Sequence, residues 1–253
     1  MFASLPVVQD PWFYAVAVPA VLMTGLSKSG FASGFGSLAT PMMALTLPVP
    51  QAAAIMLPLL LAMDGIGLQQ LWRERNRALV RHLVPWALVG TVVGTLLFGV
   101  FSTAAVAGVV GALTLAFLAQ RLLFPPRPGG PPAPHWVGSA CATVSGFTSF
   151  VAHAGGPPVS AYLLPLKLPP RELAATMAVY FGVVNLSKVG PYAWLGLIDL
   201  RNMLTALLLL PLAPLGVWAG VWLTQRVSAA LFYRLAYAGM FLTGAKLLWD
   251  GLR

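Results

Sequence analysis

From residue 29 to residue 63 the chain carries no Asp, Glu, Lys or Arg, and the stretches 82–120, 128–166 and 202–225 are equally free of them. A membrane-spanning helix needs about 20 apolar residues, so the second and third of these stretches can each hold a helix pair. The 253-residue chain is 58% hydrophobic and 8% charged. Soluble domains average about 25% charged residues. No soluble fold of this size hides that much apolar surface, so the solvent is lipid. The fold class expected is an all-α polytopic membrane protein.

The formal net charge is +9. The basic residues lie in short loops between spans, where they set orientation. No basic stripe is interleaved with aromatics, so no nucleic-acid partner is expected. Cys141 is the single cysteine, which excludes an intramolecular disulfide and any multi-cysteine metal site. There is no His/Cys/carboxylate cluster, Walker motif or dinucleotide fingerprint. No metal and no cofactor are expected. Lys28 is the first basic residue, so no secretory leader is read and the N-terminus is expected to be retained.

Ser29-Gly30-Phe31-Ala32-Ser33 recurs 116 positions later as Ser145-Gly146-Phe147-Thr148-Ser149. Both motifs interrupt apolar segments with glycine and serine. Matched broken segments in two halves of an apolar chain point to a transporter's binding site. The halves are read as 1–123 and 135–253, joined by the Pro/Gly-rich linker 124–134, whose prolines exclude a regular helix. The first half opens with a broken segment, 12–27 and 33–46, followed by spans at 51–71, 79–100 and 103–123. The second opens with 136–150 and 157–166, followed by spans at 171–194, 202–224 and 228–249. Leu47-Pro48 matches Leu168-Pro169 at offset 121, and the same offset carries Asp64 onto Asn185. Gly90 and Gly94 match Gly216 and Gly220 at offset 126, and both glycine pairs read as close helix contacts.

The basic cluster Arg73, Arg75, Arg77 and Arg81 is expected to be cytoplasmic. An odd number of spans per half then inverts the second half relative to the first. Both termini are expected on the extracytoplasmic side.

Ionisable residues inside a bilayer are functional by default. Lys28 sits in the first break and is read as a cation facing an anionic substrate; a lysine snorkelling to one interface is the other reading. Asp64 lies mid-span, either as a proton carrier or as a structural partner of Lys28 or Lys188. Lys188 follows Asn185 by one helical turn, on the same face. His153 opens His153-Ala154-Gly155-Gly156-Pro157-Pro158. Proline favours the first helical position, so a half-helix is expected to start at Pro157 or Pro158, its free N–H groups and dipole aimed at the break. The expected substrate site comprises Lys28, Ser29, Gly30, Ser33, Ser145, Gly146, Ser149, His153, Gly155, Gly156, Asn185 and Lys188. Asp64 and His153 are the candidates for a coupling proton. Ser149 and His153, at i and i+4, also leave a remote hydrolase reading with a nucleophile and its base.

The chain resembles the sulfite exporter TauE/SafE family. The resemblance rests on Gly25-Leu26-Ser27-Lys28-Ser29-Gly30-Phe31 with Gly34, Gly36 and Thr40-Pro41. It rests also on His153 to Val159, Tyr162-Leu163-Leu164-Pro165 and Val184-Asn185-Leu186-Ser187-Lys188. It covers about 20–250. It implies transport of sulfite, sulfonates or related sulfur anions across the bacterial cytoplasmic membrane. The expectation is therefore a multi-pass inner-membrane transporter, not an enzyme. Its substrate is a sulfur oxyanion or organosulfonate, with a small carboxylate or other anion as the alternative. Its partners are that anion and the lipid bilayer, with oligomeric state, a homo-oligomer included, left open. Alternating access is expected from one repeat rocking against the other.

Overall fold

A computed structural model describes residues 6–28, 35–98, 100, 102–123, 134–223 and 229–253. The residues from Ser29 to Gly34 and from Phe124 to Ala133 lie outside it, and with them the whole of the first motif and most of the expected linker. Among the described residues the chain forms helices, turns and bends, with no strand.

The helices are α1 (Pro11–Lys28), α2 (Ala39–Met43, after a 3-10 turn at Phe35–Leu38), α3 (Val49–Leu71), α4 (Arg77–Phe98) and α5 (Thr103–Leu123). They continue as α6 (His135–Ala152), α7 (Gly156–Leu163), α8 (Pro170–Ser187), α9 (Val189–Trp194), α10 (Leu200–Leu209), α11 (Leu212–Leu223) and α12 (Ala229–Gly251). Among the described residues, four helical segments are long and apolar enough to cross a membrane: Val49–Gln69, Arg77–Phe98, Arg171–Trp194 and Leu200–Ala219. The other two expected spans, α5 and α12, have 21 and 23 residues and pack along each other.

Proline sets the interruptions. Pro191 has no N–H for the Ser187 carbonyl, and the chain turns at Lys188 between α8 and α9. Pro211 likewise leaves Leu207 without its helical donor, and α10 gives way to α11 there. Pro58 and Pro85 are carried inside α3 and α4 without a break.

The outer surface is apolar. Val92, Leu96, Leu207, Leu215 and Trp218 are exposed, a patchwork that water would penalise and lipid does not. Trp12, Trp72, Trp194 and Trp249 are also exposed, as interfacial anchors require.

Inside, helices pair across the chain. α4 runs against α6, α1 against α11, α5 against α12 and α3 against α8. Glycine permits the closest of these approaches. A Cβ on Gly90 would strike the Thr143 carbonyl, and one on Gly146 the Ala87 carbonyl. A Cβ on Gly25 would meet the backbone of Gly216. A Cβ on Gly111 would reach the Leu248 amide, and one on Gly251 the backbone of Gly108. The buried core divides around these pairs: one cluster holds Phe13, Ile55, Met56 and Leu209, a second Leu57, Phe150 and Tyr192, a third Leu83, Tyr162 and Tyr180. The polar site lies at the centre, where α3 meets α8.

Candidate anion site

α6 ends at Ala152 because His153 turns into the left-handed region, with φ of 53°. For a residue with a Cβ this costs roughly 1–2 kcal/mol, and the surrounding bonds hold it there. The His153 and Ala154 N–H groups donate to the Ser149 and Thr148 carbonyls at 3.0 and 3.1 Å. Ser145 Oγ donates to the Gly155 carbonyl at 2.6 Å, and Thr148 Oγ1 to that of Ala154 at 3.0 Å. Gly155 fits because a Cβ there would collide with Ser145 and Ser149. α7 begins one position later, at Gly156, with proline in its first turn.

Five polar side chains then join end to end. Lys28, the last residue of α1, places Nζ on Asp64 Oδ1. Asp64 Oδ2 accepts from Asn185 Nδ2 at 2.6 Å. Asn185 Oδ1 accepts from Lys188 Nζ at 2.7 Å, and the same ammonium meets His153 Nδ1 at 2.9 Å. His153 Nε2 lies 2.9 Å from the Ala53 carbonyl. A carbonyl only accepts, so the network assigns the proton to Nε2 and leaves Nδ1 as the acceptor for Lys188.

The line is buried. Relative exposure is 0% for Lys188, 2% for Asn185, 4% for Asp64 and 8% for His153, against 22% for the Lys28 side chain. The line holds two lysines and one carboxylate, which pairs with Lys28. Among the described residues, no carboxylate stands within ion-pair distance of Lys188. Away from water such an imbalance is costly, since charge interactions strengthen as the dielectric falls. An anion placed beside Lys28 would correct it.

Beside the line lies a cavity of about 320 Å³. Lys28, Asp64, Asn185, His153, Ser149 and Gly156 all contribute to its wall. Lys188 stands directly behind Asn185 and His153. Ser145, Gly146 and Gly155 are placed away from the wall, Ser145 holding the loop and Gly146 the α4 contact. Ser29, Gly30 and Ser33 lie outside the described residues. Thr24, Ser27, Ser37, Met63, Met177 and Phe181 line the cavity as well, and sequence reasoning had not selected them. The α8 members recur at helical spacing with Leu173 and Ala174, a pattern that in sequence is indistinguishable from a core stripe.

Both ring nitrogens of His153 are committed, to Ala53 and to Lys188. None remains to take a proton from Ser149, and the hydrolase reading loses its base.

An all-helical body with an apolar exterior and a buried charged line beside a cavity defines an integral membrane protein with an internal polar site. The chain belongs to the sulfite exporter TauE/SafE family, whose sequence model matches residues 17–247. It is accordingly a membrane transporter of sulfite or a related anion, not an enzyme. No curated protein and no solved structure matches the chain.

Proposed function

We propose that the protein moves a sulfur oxyanion or organosulfonate across the bacterial inner membrane by alternating access, with a proton carried on Asp64 rather than on His153, whose ring nitrogens are both committed. The observation that carries this reading is the buried line in which Asp64 pairs with Lys28 while Lys188, linked to it only through Asn185, has no carboxylate of its own among the described residues. An anion entering the cavity meets Lys28, the Asn185 amide and the start of α7. Substrate binding at Lys28 competes with Asp64 for the same ammonium, which couples anion binding to the state of that carboxylate.

Two inverted halves, 1–123 and 135–253, with the linker 124–134 between them, remain part of this reading. The exchange of partners supports it: α1 and α4 of the first half pack on α11 and α6 of the second, and α3 on its counterpart α8. Asp64 and Asn185, matched by the repeat, touch each other, as residues near a two-fold axis would.

Binding to purified protein tests the site, with sulfite, methanesulfonate and acetate as ligands. The sulfur anions should bind more tightly than acetate. A charge-assisted hydrogen bond contributes about 1.5–3 kcal/mol, so Lys28→Gln should weaken binding about 10- to 100-fold. Affinity within twofold of wild type would place the anion elsewhere.

A further inference from the structure

Along α3 and α8 the polar lining of the cavity is confined to the Asp64–Asn185 contact. α3 and α8 run antiparallel through the Asp64–Asn185 contact, and Gly67 faces Ala178 further along. From that contact outward the α3 and α8 walls are hydrocarbon: Leu71 from α3, with Phe181, Met177 and Leu173 from α8, while Met63 adjoins Asp64 at the contact itself. Phe181 and Met177 lie one and two turns from Asn185, roughly 6 and 12 Å along the axis. That is the length of a short alkyl chain. A volume of about 320 Å³ falls at the lower end of the pockets that enclose organic ligands, which are about 300–1,000 Å³ with mostly apolar walls and a few polar anchors. A bare oxyanion would fill the polar end and leave the apolar wall facing water.

We propose that the site selects an organic monoanion, with its acidic head at Lys28 and an apolar tail along Met63, Phe181 and Met177. The head carries one negative charge because one lysine, Lys28, reaches the cavity wall to meet it. The three wall residues determine specificity, since each methylene of the tail gains by leaving water. This inference rests on the anion-transport reading and narrows its substrate to amphipathic anions.

The test is a binding series on the full-length protein in lipid nanodiscs, using sulfite and the methane-, ethane-, butane- and hexanesulfonates. Empty nanodiscs supply the partition background. Burying a methylene contributes about 0.8 kcal/mol, so affinity should rise about 3- to 4-fold per added carbon until the cavity is filled. Met177→Gln preserves side-chain length and should weaken hexanesulfonate, the member of the series whose tail reaches that turn, about 10-fold while leaving methanesulfonate within twofold. If that variant fails to fold, Met63→Gln serves the same purpose, and the wild-type series is decisive alone. Sulfite binding as tightly as butanesulfonate, or affinity independent of tail length, overturns the inference and leaves anion transport standing. Hexylammonium carries the same tail with the opposite charge. Its binding as tightly as hexanesulfonate would overturn the anion reading itself.

Discussion

Asp64 makes two contacts of different kinds, an ion pair to Lys28 and a hydrogen bond from Asn185. Asp64→Asn keeps the shape and an acceptor oxygen but removes the only titratable oxygen in the pair. The variant should bind anion and lose the pH dependence of uptake into proteoliposomes. PH dependence equal to wild type would reduce Asp64 to a structural partner. Loss of folded protein would indicate that Lys28 tolerates no neutral partner, since breaking a buried pair costs roughly 3–5 kcal/mol. Lys28, Asp64, His153 and Lys188 stand out in the sequence because charged or ionisable groups are rare in apolar stretches. Their mutual order is not legible there. That Lys188 turns to His153 and Asn185, leaving Asp64 to Lys28, depends on the break imposed by Pro191 and on the left-handed turn at His153. The apolar wall is illegible for a simpler reason: a methionine lining a cavity and one filling a core are the same letter.

Helix pairing is governed by where side chains are missing. Gly90 in α4 faces the Thr143 carbonyl of α6 with no room for a methyl group, whereas Gly65 in α3 has open space around it. The two therefore make a matched test. Gly90→Ala should force the helices apart and lower the thermal unfolding temperature, or abolish folded protein. Gly65→Ala should be neutral or stabilising, because alanine is favoured over glycine in a helix by about 1 kcal/mol. Equal effects at both positions would mean that the α4–α6 contact contributes nothing specific. The glycine spacing at 90, 94 and 216 was readable as close-packing sequence. Its partners were not, since they lie in helices distant in the chain.

At the scale of the whole molecule, orientation follows from the basic cluster at Arg73, Arg75 and Arg77. Single cysteines near Arg77 and Pro131, in a Cys141→Ala background, should react with reagents applied from the cytoplasm. Those near Gln9 and Arg253 should react only from the other side. Cytoplasmic labelling at Arg253 would contradict an inverted second half. The cavity points from the Asp64–Asn185 contact toward Leu71 and Leu173, next to that same basic loop. With this orientation the site faces inward.

The closest glycine contacts stitch a helix of the first half to one of the second: α4 to α6, α1 to α11, α5 to α12. Rocking one half as a block against the other, as the sequence suggested, would tear all three seams at once. Backbones in van der Waals contact do not slide freely, since interiors are packed as densely as organic crystals. Under the proposed alternating access, the hinge lines would therefore run between the stitched pairs rather than at the boundary between the halves. On the proposed reading, repeat and joint therefore follow different boundaries: the repeat would divide the molecule at residues 124–134, and bending would divide it into hybrids, each holding helices from both halves.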